Sequence, residues 1–101
     1  MTMAEYIMTI LRSQLMVVFS WGFHNPVALP YDKGLRFQVQ GFLYKGIVEV
    51  IYNEGRDLFE VLLSNGTRVE DVYFDNLVAV IDGLVERCDR YQERVTKEYN
   101  L

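Results

Sequence analysis

The sequence predicts an α+β domain in the order α-β-β-β-β-α: an N-terminal helix, an antiparallel sheet of three to four strands, and a long C-terminal helix. Three observations carry that prediction. Apolar residues recur at helical spacing near both ends, alternating or doubly apolar runs lie between them, and an Asn-Gly pair separates the last two runs. A chain of 101 residues has the size of one domain, because two separate cores would each bury too little apolar surface. Residues 1–101 are therefore read as a single globular unit.

Ile7, Leu11, Leu15 and Val18 recur at helical spacing, with Glu5, Thr9, Arg12 and Ser13 on the other side. This predicts an amphipathic helix from Met3 to about Phe19. Its last turn, Leu15 to Phe19, is apolar all round, so that end is expected to be deeply buried or extended. Gly22, Pro26 and Pro30 interrupt the pattern, and the stretch from Trp21 to Gly34 reads as a packed loop.

Leu35, Phe37 and Val39 alternate with Arg36, Gln38 and Gln40, the period-two signature of a strand with one wet face. Gly41 and Gly46 bracket the next turn. Ile47–Tyr52 and Leu58–Leu63 are apolar on both faces and are expected to be central strands joined by Asn53-Glu54-Gly55-Arg56. Asn65-Gly66 tolerates the positive φ values of a tight type I′ turn, so Thr67–Val72 should pair back as the fourth strand.

Asp75 is placed to cap the terminal helix. Leu77, Ile81, Leu84, Cys88, Tyr91 and Val95 then form a continuous stripe, with opposite charges four apart at Glu86/Arg90, Glu93/Lys97 and Arg94/Glu98. One helix running through Gly83 to about Glu98 is expected, despite a cost of about 1 kcal/mol for the internal glycine.

The composition narrows function mainly by exclusion. A net charge of −4 with both signs interspersed provides no basic face to neutralise phosphates, so nucleic acid is not an expected partner. The longest apolar runs, Leu15–Phe19 and Leu77–Ile81, are far short of the roughly 20 residues of a membrane-spanning helix. The start has no secretory pattern, and the lone Cys88 cannot form an internal disulfide; a cytoplasmic protein is expected. No glycine cluster resembles a phosphate-binding loop, and His24 is the only histidine, so no cofactor or metal is expected. Glu70, Asp71 and Asp75 lack the spacing of a calcium loop and read as surface or capping groups. Phe37, Phe42, Tyr44, Tyr52 and Phe59 could stack on bases, but the surrounding charge assigns them to packing. Cys88, on the apolar stripe, reads as a small hydrophobe rather than a nucleophile.

Two functional readings remain. The first is a non-enzymatic interaction or oligomerisation module, expected to form a two-fold dimer or to dock on another protein. Two doubly apolar strands require cover on both faces of the sheet. Its candidate contact residues are Trp21, Phe23 and His24, a cluster of aromatics beside a polar tip, and Tyr91 and Val95 at the far end of the helical stripe. The second is a ligand-binding domain or enzyme whose pocket collects distant residues such as His24, Tyr44, Tyr52, Glu60 and Glu70.

Overall fold

The computed structural model describes residues 1–86. It contains α1 (Met3–Arg12), α2 (Leu15–Ser20), β1 (His24–Ala28), a 3-10 turn at Pro30–Asp32, β2 (Gly34–Gln40), β3 (Lys45–Asn53), β4 (Leu58–Leu63), β5 (Arg68–Val72) and α3 (Leu77–Val85). The five strands form one antiparallel meander in sequence order, with β3 at its centre. The mixed α+β class expected from the sequence is present, with one strand more than expected.

Alternation divides each strand between two faces. Leu35, Phe37 and Val39 of β2, Val48 and Val50 of β3, and Phe59, Val61 and Leu63 of β4 point into one buried cluster. Ile7 and Leu11 of α1, Val18 of α2, and Leu77, Val78, Ile81 and Val85 of α3 complete it from above. The helices therefore pack on one face of the sheet. The opposite face carries Arg36, Ile47, Glu49, Ile51, Glu60, Leu62 and Arg68, and no described helix belongs to it.

The N-terminal helix is two helices. Thr2 and Glu5 start α1 with a reciprocal capping box, in which Thr2 Oγ1 accepts from Glu5 N at 3.1 Å and Glu5 Oε1 accepts from Thr2 N at 3.3 Å. The helix closes early because Ser13 and Gln14 donate to Ile10 and Leu11, three residues back, and the Ser13 hydroxyl also donates to Ile10 O at 2.6 Å. Gln14 then leaves helical dihedrals (φ −135°, ψ 57°), and α2 starts afresh. The expected single helix to Phe19 is corrected, and so is the burial expected of its last turn: α2 buries only Val18 fully.

The region read as a loop contains β1. Its register is His24 opposite Gln38 and Ala28 opposite Leu35, with a bulge between His24 and Val27. Pro26 obscured it, because proline cannot donate to a ladder; at a bulge on an edge strand that donor is not needed. Asn25 has φ 53° within the bulge. The other edge is also irregular, with a register shift between Phe59 and Val61 opposite β5 and φ 56° at Asp71.

The Asn65-Gly66 hairpin forms with a different turn. Leu63 and Thr67 bracket a three-residue loop in which Gly66 N donates to Leu63 O (3.1 Å), Leu63 N to Thr67 O (2.9 Å), and Gly66 alone takes a positive φ, 97°. This geometry corresponds to a turn followed by a left-handed glycine bulge, rather than the two-residue type I′ turn expected.

Helix α3 is also shorter than expected. It starts at Leu77, and Asp75 does not cap it: Asn76 is the boundary residue, its Oδ1 accepting from Tyr73 N at 2.9 Å. It passes through Gly83 as expected but ends at Val85, whose carbonyl accepts from Leu43 N (2.7 Å) and Tyr44 N (3.2 Å) while Glu86 turns away at φ −125°. Gly41 permits this junction, since a Cβ there would lie 2.3 Å from Val85 Cγ1 and 2.4 Å from Val85 O. A single helix running unbroken to Glu98 is thereby corrected; Cys88, Tyr91 and Val95 lie outside the described residues.

Candidate interaction surface

The aromatic cluster of the sequence is brought together, but largely inside the molecule. Trp21, which follows α2, is fully buried; its ring stacks on Phe37 (6.5 Å between centroids) and its Nε1–H donates to Asp82 Oδ1 at 2.9 Å. Phe23 is half-buried against the same Phe37 at 4.7 Å. The structure thus places Trp21 as the anchor of α2 and α3 on the sheet, and not at the surface. His24 is half-buried at the start of β1, with Nδ1 2.7 Å from Gly22 O and Nε2 3.1 Å from Gln38 Oε1. Tyr91 and Val95, the other two candidates, lie outside the described residues.

The residues of the pocket reading are brought together only in part: Tyr52 and Glu60 line one depression and Glu60 and Glu70 share Arg68, while His24 and Tyr44 lie elsewhere. Tyr44 is buried, its hydroxyl 2.7 Å from Ile47 O and 2.5 Å from Ser64 Oγ, and it ties β3 to the end of β4. Tyr52 donates to Asp57, which pushes the phenol upward in pKa. Glu60, on the helix-free face, is buried yet fully satisfied: Arg68 and Asn53 Nδ2 (3.1 Å) both donate to it. Glu70 accepts from Arg68 Nε at 3.1 Å. His24 on β1 and Glu60 on β4 are three strands apart, on the order of 14 Å by strand spacing. A shallow depression of about 350 Å³ lies beside Glu60, Asn53 and Lys33, and another of about 330 Å³ lies over Ile47 and Leu62 beside the Arg36–Glu49 ion pair.

What the sequence reading missed is the outward side of α2. With Val18 turned inward, Leu15, Met16 and Phe19 face outward at 45%, 83% and 62% exposure. They project from two successive turns of one short helix, so they form a patch rather than scattered single residues. The signal was present in the sequence. A run apolar all round cannot bury every side of a surface helix, so some of it must be exposed wherever the helix lies on a core instead of passing through it.

The helix-free face of the sheet is mixed in character. Ile47, Ile51 and Leu62 lie among Arg36, Glu49, Glu60 and Arg68, and the cross-strand row Arg36, Glu49, Leu62, Arg68 holds ion pairs at both ends. Among the described residues no helix is long and apolar enough to cross a membrane. No protein-family model, no curated protein and no solved structure matches the chain.

Proposed function

We propose that the protein is a small protein-interaction module that docks through α2, with a second copy of the chain as the first partner to test. The carrying observation is the outward patch of Leu15, Met16 and Phe19. Exposed methionine and phenylalanine on a rigid helix are characteristic of docking anchors, because a flexible thioether and a flat ring bury large area against varied partners. The helix is held in place by Trp21, so the patch is presented without an ordering cost on binding. The helix-free sheet face supports this reading less well, since its apolar residues are separated by satisfied ion pairs. A pocket reading has weaker support, because Tyr52 and Glu60 line only a shallow, open depression and His24 and Tyr44 lie elsewhere. A reducing compartment such as the cytoplasm is the proposed location, on the lone Cys88.

Size exclusion with light scattering at tens of micromolar should give about twice the chain mass of 11.9 kDa. Met16→Glu with Phe19→Glu should return the protein to monomer with its melting temperature little changed, as both side chains are exposed. Ile47→Glu with Leu62→Glu should leave the association intact; if that pair disrupts it instead, the docking surface is the sheet face. A monomer at every concentration rejects the second copy as partner.

A further inference from the structure

We propose that Asn65 is a site of spontaneous covalent modification, an asparagine that closes on the following glycine and opens to aspartate and isoaspartate. In the first step the Gly66 amide nitrogen loses its proton and attacks Cγ of Asn65. The new N–Cγ bond gives a tetrahedral oxyanion at Cγ, which collapses as the Cγ–Nδ2 bond breaks, and the side-chain nitrogen leaves as ammonia carrying the proton. Water then adds to one or the other carbonyl of the five-membered imide, giving aspartate or isoaspartate. Only water is consumed, and nothing is oxidised or reduced.

The turn supplies three features that this chemistry uses. Gly66 presents no side chain, and nothing lies within 4 Å of where a Cβ would be, so the attacking nitrogen is unhindered. Thr67 N–H donates to Asn65 Oδ1 at 3.0 Å, which draws electron density from Cγ and stabilises the oxyanion formed on attack. Asn65 and Gly66 are both exposed, so water reaches the imide. One feature opposes it: Gly66 N–H donates to Leu63 O at 3.1 Å and must be released first. The rate is therefore gated by local opening of the hairpin.

The other described asparagines lack these conditions. Asn25 precedes Pro26, which has no N–H to deprotonate. Asn53 precedes a residue with a side chain, and its amide is held at both ends, Nδ2 donating to Glu60 at 3.1 Å and Oδ1 accepting from Arg56 N at 3.3 Å. Asn76 precedes Leu77, buried in the first turn of α3. Isoaspartate would add a methylene to the main chain of a three-residue loop. The neighbouring Ser64, bonded through both N and Oγ to the Tyr44 hydroxyl, would have to shift with it.

The test is to incubate the folded, full-length protein in neutral and mildly alkaline buffer and follow its proteolytic peptides by mass spectrometry. The peptide containing Asn65 should gain the mass difference between an amide and an acid ahead of those containing Asn25, Asn53 and Asn76. It should resolve into aspartyl and isoaspartyl forms, and should form more slowly in mildly acidic buffer. Asn65→Gln, which keeps Gly66 in place but needs a larger ring, should lose the signal. The proposal is overturned if Asn53 or Asn76 converts first, or if the product is aspartate alone. It is equally overturned if Asn65 is still intact after several lifetimes of the same sequence as a free peptide.

Discussion

Gly66 takes a φ of 97° with open space where a side chain would project, so a substitution there tests backbone strain with no steric clash to confuse it. A β-branched residue in that region costs about 2 kcal/mol. Gly66→Val should lower the melting temperature by roughly 10 °C for a domain of this size. An unchanged melting curve would place the left-handed position elsewhere in the loop. A second residue-scale prediction concerns Glu5, whose carboxyl is held below the ordinary glutamate range by the Thr2 hydroxyl and then the Thr2 amide. Since folding lowers this pKa, the capping contribution is complete above the ordinary carboxylate range and is lost as pH falls through the folded value. Urea melts of wild type and Glu5→Ala should therefore differ at neutral pH and converge in acid. A gap that persists in acid would assign the effect to packing of the Glu5 stem.

At the scale of elements, the joint between helices and sheet depends on Trp21. Its ring covers Phe37 and its indole N–H reaches Asp82 on α3, so one side chain fixes α2 and α3 relative to β2. Trp21→Phe keeps an aromatic in place but leaves Asp82 without its indole donor, and should cost about 2 kcal/mol in a denaturant titration. A loss no larger than that of an exposed control would mean water replaces the indole fully. The elements that were legible in the sequence are those governed by local period: β2, β3 and β4 fall where alternation and apolar runs place them, with β3 and β4 interior as their double apolarity demands. Elements decided by a few hydrogen bonds were not legible. The break at Ser13-Gln14 depends on a hydroxyl turning back to Ile10, and the end of α3 depends on Leu43 and Tyr44 approaching Val85 from a loop distant in sequence. Strand β1 was hidden because Pro26 argues against a strand until its place at an edge bulge is known. The candidate surface was legible only as an oddity, a fully apolar turn whose outward side could not be assigned without the α1–α2 break.

For the whole molecule, the described helices cover one face of the five-stranded sheet, and the outward side of α2 is the exposed apolar patch on which the proposed docking rests. The acidic net charge and the satisfied ion pairs of the helix-free face keep the remainder wetted. The two edges of the meander have a further consequence. At β1 a proline and a bulge break the row of donors and acceptors, and on the other side the β4–β5 register shift and the left-handed Asp71 do the same. Neither margin offers the straight ladder that a sixth strand, from a neighbour or a misfolded chain, would need as a template. A module that docks through α2, as proposed, would therefore associate without extending its sheet.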